Sequence, residues 1–254
     1  MKAFLQHLVN GLKYYSKSLN KISILVDKPW ALIDSDLEIQ KLIFKKNKQL
    51  IMSKDGQVTI GSWDYLPEAK SLLIDRGKDK ILCNEGFIDD GVLVLKMDGT
   101  ANNFFVLANE NLIPDLDAYS YLKQLRYRNL NIVTQKLTNG KNLEIIREWE
   151  YDPIKIGNPV TIEANEVTDG IYRFEGKGLK YIIKESFIQA IINEVTYKTK
   201  NGLEIMIEQY NQSSYQVNEH VWLNGVPAPD GGYRIIGGRN IIVIDGLIIK
   251  KKMF

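Results

Sequence analysis

Ten of the nineteen glycines in this 254-residue chain directly follow Asn or Asp. Such pairs take up positive φ at low steric cost, as a two-residue hairpin reversal requires. The stretch "NGVPAPDGGYRIIGGRNIIVIDGLI", residues 224–248, concentrates them. Asn224-Gly225, Asp230-Gly231 and Asp245-Gly246 alternate there with short aliphatic runs. A chain reversed this often leaves little room for long helices and predicts antiparallel strands. Pro227 and Pro229 cannot donate to a ladder, so "VPAPDG" reads as a rigid edge loop.

Period-two patterning begins near residue 22. "ISILV", "KLIFKK", "QLIMSK", "QVTIGSWDY", "SLLIDR", "KILCNEGF", "GVLVLKM" and "NFFVLAN" are short runs rich in β-branched and aromatic residues. Asp55-Gly56 and Asp98-Gly99 separate some of them, which predicts an antiparallel meander, half-barrel or barrel-like. Two helices interrupt the pattern. Residues 4–19 carry Phe4, Leu5, Leu8, Val9, Leu12, Tyr15 and Leu19 at helical spacing. The polar side of that stretch holds few charges, which favours packing on a sheet over docking on a membrane surface. "PDLDAYSYLKQLRYR" starts with Pro114 at the first helical position. Asp115 and Asp117 complement its positive end, and Lys123, Arg126 and Arg128 its negative end.

Residues 131–254 contain an internal duplication. Asn139-Gly140 falls on Asn201-Gly202, Leu143-Glu144-Ile145 on Leu203-Glu204-Ile205, Asp169-Gly170 on Asp230-Gly231, and Tyr172-Arg173 on Tyr233-Arg234. The offset stays between 60 and 62, and several landmarks in one order point to a repeated unit. Neither copy looks large enough to bury a full core alone, so the two are expected to close together as a sandwich or barrel. The expected organisation is an N-terminal helix and meander at 1–113, a linking helix at 114–130, and a duplicated β module at 131–194 and 195–254. The fold class is mainly β with two helices.

The composition narrows function. Apolar residues make up 44%, enough for a substantial core. Thirty-three basic against thirty-one acidic residues create no field that would call for nucleic acid or an anionic membrane. "KQLRYRN" at 123–129 is the one basic-aromatic stretch, and a helix end explains its charges. A lone Cys83 excludes an internal disulfide and fits a reducing compartment. The N-terminus has no signal-peptide pattern, so a cytoplasmic location is expected.

No catalytic or metal constellation emerges. His7 and His220 are isolated from each other and from Cys83, and a cysteine nucleophile needs a base beside it. "DSDLE" at 34–38 and "NEGFIDDG" at 84–91 lack calcium-loop spacing. The glycines of "GGYRIIGG" at 231–238 and "EGKG" at 175–178 open no helix that would cradle a phosphate. No cofactor, metal or enzyme activity is expected.

The aromatics carry what functional signal there is. Trp30, Trp63, Trp149 and Trp222 are expected mostly in the core, since β proteins bury most tryptophans. Trp222 stands out because its counterpart in the first copy is Thr161. Where copies differ, function can be added to scaffold. The binding candidates are Trp222 with His220, Tyr233 and Arg234 in the second copy, and Trp63 with Tyr65 in the meander.

"KPWALID", "QKLIFKKNKQLIMSKDGQVTIGSWDYLPEAKSLLID", "GVLVLKMDGT" and "FFVLANEN" together resemble an uncharacterised cytoplasmic family of Bacteroidetes-type bacteria. Their Trp-strand-turn-Gly-x-Trp pattern also resembles lipocalin-like meanders. "LNGVPAPDGGYRI…IIVIDGLI" is similar to short β modules ending other proteins of those bacteria, some of them phage-associated. The resemblance implies an all-β bacterial cytoplasmic protein and transfers no site residue. Exposed hairpin edges and rigid loops suit docking or strand addition. The expected function is therefore non-catalytic binding of another protein, as an immunity protein or a part of a phage or injection machine. The alternative is a small-ligand carrier with Trp63 and Tyr65 lining the meander's interior.

Overall fold

A computed structural model describes residues 2–19, 22–33, 40–100, 103–210 and 214–252, without the side chains of residues 2–4 and 7. The acidic run 34–38 and the His7 side chain lie outside the described residues. The chain forms two compact units, Met1–Ile132 and Val133–Phe254.

In the first unit, eight strands follow one another as an antiparallel meander. They are β1 (Trp30–Ile33), β2 (Gln40–Phe44), β3 (Gln49–Lys54), β4 (Gln57–Leu66), β5 (Ser71–Asp75), β6 (Lys80–Ile88), β7 (Val92–Met97) and β8 (Phe104–Asn109). β1 also pairs with β8, Trp30 opposite Asn109 and Ile33 opposite Val106, so the sheet closes into a barrel. Closure removes both edges, which is the surest protection against edge-to-edge association.

The two-residue reversal Asp55-Gly56, with φ of 50° and 77°, sets the β3–β4 register. Alternate residues then point inward. Leu42, Phe44, Leu50, Trp63, Leu72 and Ile74 fill the interior at 2% exposure or less. Residues before β1 plug one end. Leu19, Ile24, Leu25 and Val26 join the same core, and Trp30 Nε1 donates to the Leu25 carbonyl at 2.9 Å. Glu85 Oε1 ties the plug down by accepting from Leu19 N and Tyr65 Oη, both at 2.9 Å.

Two helices complete this unit. α1 spans Lys2–Leu12 and continues as a 3-10 turn through Tyr15. It is shorter than the 4–19 expected, because from Ser16 the chain turns extended and its Oγ accepts from Ile88 N. α2 spans Ala118–Asn129 and starts four residues after Pro114. Its cap is Asp117, whose carboxylate accepts from Ser120 N at 3.0 Å. α2 follows β8 in the chain and lies against α1 and the barrel. Tyr15 Oη donates to the Asn129 carbonyl. Tyr121 Oη donates to Asp89 at 2.6 Å, and its ring leaves no room for a Cβ at Gly91, which would sit 2.7 Å away.

The second unit has three sheets. β9 (Ile132–Lys136), β10 (Asn142–Ile146) and β11 (Val160–Thr161) form the first. β12 (Gly170–Arg173), β13 (Leu179–Lys184), β14 (Phe187–Lys198), β15 (Glu204–Gln209), β16 (Val221–Leu223) and β17 (Val226–Pro227) form the second. β18 (Gly231–Tyr233), β19 (Asn240–Ile244) and β20 (Leu247–Lys252) form the third.

Hydrogen bonds recur along this unit. Leu137 N donates to Lys141 O, and Thr199 N to Leu203 O. Glu175 N donates to Lys136 O, and Ile236 N to Lys198 O. Val160 N donates to Ser186 O, and Val221 N to Gly246 O. Tyr172 Oη donates to Thr168 O and Tyr233 Oη to Pro229 O, each at 2.8 Å. Strand pairing sets Glu144 opposite Thr161 and Met206 opposite Trp222. Leu143-Glu144-Ile145 therefore matches Ile205-Met206-Ile207, two residues away from the alignment by sequence identity. The equal hairpin lengths around Asn139-Gly140 and Asn201-Gly202 dictate this register.

Each stretch encloses its own core, contrary to the expectation of one shared core. Leu143, Ile145, Phe174, Tyr181 and Ile183 belong to one, and Ile205, Ile207, Tyr233, Ile241 and Val243 to the other. β14 joins them: residues 187–193 pair with β13 and 193–198 with β15. On the opposite face of these strands, Lys180 (side chain 5% exposed) contacts Glu208 and sits 3.3 Å from Glu194, which also meets Arg173.

Burial alone would raise the Glu194 carboxyl, but Arg173 and Lys180 together hold it below its ordinary value. A depressed carboxyl contributes stability at neutral pH that is lost as pH falls through its folded value. Lys180→Met, which leaves Glu208 buried without its cation, is expected to cost about 3–5 kcal/mol in urea unfolding at pH 7. Lys180→Met with Glu208→Leu is expected to recover most of that loss. Equal losses in both variants would refute the pairing.

Candidate protein-binding surface

The six residues singled out by sequence fall in different surroundings. Trp63 is buried at the plugged end of the barrel. Its Nε1 donates to the Lys45 carbonyl at 3.0 Å, and its ring meets Phe44 edge-on at 5.7 Å. Tyr65, also buried, donates to Glu85, and burial together with that carboxylate raises its pKa. Both are packing residues, and neither lines an open cavity. Tyr233 is a core residue whose hydroxyl ties the corner at Pro229. Arg234 is exposed just after β18, and its carbonyl receives Lys200 N.

Outside the cores, His220 and Trp222 come together. They sit two apart at the start of β16, rings 6.1 Å apart. His220 is exposed and Trp222 half-buried, with its Nε1 shielded and without a partner among the described residues. Met206 and Pro227 pair with Trp222 on either side and share its face. The first stretch has a polar pair at this place. Thr161 Oγ1 donates to Glu144 Oε2 at 2.7 Å, and Ala164 N donates to the same oxygen at 3.1 Å. A buried, hydrogen-bonded carboxylate in one stretch is thus an apolar strip in the other.

Among the described residues of the second unit, the most exposed aromatics lie elsewhere, in the loop 147–157 between β10 and β11. Trp149 is 69% exposed, Tyr151 89% and Ile156 63%. The loop is held at several points despite that exposure. Arg147 Nη1 donates to the Asp152 carbonyl at 3.0 Å, and Lys155 N to Asn158 Oδ1 at 2.8 Å. Ile154 packs on the core beneath, and Gly157 N donates to Ile188 O. Trp149 was expected in the core; here its side chain points to water. The sequence carries no signal for this: in "EWEYD" aromatics alternate with carboxylates, the pattern of a half-buried strand, whereas the backbone here forms a loop. Exposed Trp and Tyr on an anchored loop offer large contact area at low conformational cost.

Burial pushes the Cys83 thiol up to about 11. Among the described residues, no group of three or more His, Cys, Asp or Glu is placed to hold a metal. No described helix is long and apolar enough to cross a membrane.

Neither a family model nor a solved structure matches the chain. Over 104 residues it is 29% identical to the Lon protease of Mycoplasma genitalium, a match covering 39% of this chain and 13% of that protein. The chain therefore spans a small part of that relative, and the match transfers no activity.

A thiolate fraction this small predicts that the single cysteine is inert to disulfide reagents such as DTNB in the native protein at pH 8. One thiol per chain is expected to titrate in 6 M guanidinium, and rapid native labelling would contradict the burial of Cys83.

Proposed function

We propose that this chain is a non-catalytic protein-binding module. The observation that carries the reading is the loop 147–157, where Trp149, Tyr151 and Ile156 project into solvent from an anchored backbone. Large apolar side chains left this exposed on an ordered loop are costly to solubility, and partner contact is the usual reason for them. The apolar strip of Met206, Trp222 and Pro227 supplies a second contact area. Matching hydrogen bonds in 131–194 and 195–254 support an origin by duplication, with each copy since given its own contact face. The resemblance to bacterial and phage-associated modules favours an immunity protein or a part of a phage or injection machine, acting in the cytoplasm.

The test is affinity capture from the source cell's lysate, with the full chain as bait. Trp149→Ala with Tyr151→Ala is expected to reduce recovery of the captured partner at least tenfold, without moving the thermal midpoint. Tyr14→Ala, at a site 97% exposed in the first unit, serves as control and is expected to change nothing. Equal capture by the double variant and the parent would overturn the assignment of this loop.

A further inference from the structure

The tip of the loop 147–157 is a turn. Asp152 N donates to the Trp149 carbonyl at 3.2 Å, which sets Glu150 and Tyr151 at the corner. Trp149, Glu150 and Tyr151 are all exposed. The loop's own cations are turned back on it. Arg147 Nη1 donates to the Asp152 carbonyl, and Lys155 Nζ stands 3.5 Å from Glu148 Oε2 and 3.9 Å from Asp152 Oδ2. Glu150 has no partner among the described residues. The corner therefore combines two aromatic rings with one unneutralised carboxylate.

The corresponding loop of the second stretch, between β15 and β16, is built otherwise. Its sequence holds a single acid, Glu219, where the first loop holds Glu148, Glu150 and Asp152. Glu219 is buried and ties its loop down by accepting from Tyr210 N at 2.9 Å and Gln216 N at 2.7 Å. In the first loop that inward role falls to Asn158, which is buried and accepts from Lys155 N. The Glu150 carboxylate is thus not needed to anchor its backbone. Charge that served only to keep Trp149 and Tyr151 soluble could have either sign, yet here the cations are engaged within the loop and the free charge is negative.

Ring quadrupoles attract positive charge, tryptophan's most strongly. A free carboxylate beside an indole and a phenol is complementary to a cation on both counts. Arginine fits best, since its planar guanidinium stacks on a ring while its N–H fork meets a carboxylate. We infer that the corner Trp149–Asp152 takes an arginine- or lysine-bearing segment of a partner protein, with the cation against the Trp149 and Tyr151 rings and the Glu150 carboxylate. The inference rests on the protein-binding reading of this loop and gives that partner its chemistry.

The test is isothermal titration of the full chain with acetyl-Gly-Arg-Gly-Arg-Gly-amide and with the same peptide carrying lysine, citrulline or glutamate in place of both arginines. Citrulline keeps the shape of arginine and removes its charge. The arginine peptide is expected to bind roughly fivefold tighter than the citrulline peptide, with lysine between them and glutamate weakest. Trp149→Ala and Glu150→Gln are each expected to weaken the arginine peptide roughly threefold, and the thermal midpoint holds because both side chains are exposed. Failure of the arginine peptide to bind at millimolar concentration would overturn the cationic class. So would equal binding of the citrulline peptide, or binding that both variants retain. Lysate capture separates this inference from the reading beneath it. Capture that needs Trp149 and Tyr151 but ignores Glu150→Gln and added salt overturns the cationic class and leaves a protein-binding loop. Capture that ignores all three substitutions overturns both.

Discussion

Two consecutive left-handed residues at a hairpin reversal leave the strands on either side one register. Asp55-Gly56, Asn224-Gly225 and Asp245-Gly246 all take this conformation. So do Glu163-Ala164 and Ser186 with Glu185, which occupy the corresponding corners without glycine. Everything described above depends on that register. A slip of one residue would carry Trp63 and Phe44 to the outside of the barrel and Ile51 and Ile60 into it. In the second unit the same slip would turn Ile205 and Ile207 outward and bury Met206.

Register also explains how one chain builds two kinds of body from similar hairpins. In the first unit the meander twists until its last strand meets its first, and one interior serves eight strands. In the second unit the reversals recur with a longer period, and a 12-residue strand, β14, is shared between two smaller cores. The Lys180 cluster lies across that shared strand. It spans β13, β14 and β15 and thereby couples the stretches on the face opposite their cores. Its buried charges add little stability in themselves but penalise any relative shift of the three strands.

Much of the fold was legible in the sequence because turn chemistry and period-two patterning are local signals. The mainly β class followed from them, and the two helices from helical apolar spacing and from complementary end charges. Barrel closure was not legible, because pairing of Trp30–Ile33 with Val106–Asn109 is a contact between distant segments that no local pattern records. The helix start at Ala118 was misplaced because Pro114 is a good first helical residue anywhere, while the Asp117 cap was one acid among several. The repeat was aligned two residues off at Leu143 because identity favoured Leu203-Glu204-Ile205, whereas equal hairpin lengths set the true register. The site residues fared worst. Trp63, Tyr65 and Tyr233 were chosen for their chemistry, and each spends it on packing and one internal hydrogen bond. Trp149 reads as a core residue because burial is the commoner fate of tryptophan and because its alternation with carboxylates is also the pattern of a half-buried strand.

The register places Trp30 and Trp63 inside the barrel, whereas Trp149 stands in water, and the indole N–H groups report on this directly. Hydrogen exchange of the four indole N–H signals, followed by NMR after transfer into heavy water, makes the measurement. Trp30 and Trp63, bonded to the Leu25 and Lys45 carbonyls inside a closed barrel, are predicted to persist for hours. Trp149 is predicted to vanish before the first spectrum. A protected Trp149 signal together with rapid loss of Trp30 and Trp63 would contradict both the closed barrel and the exposed loop 147–157.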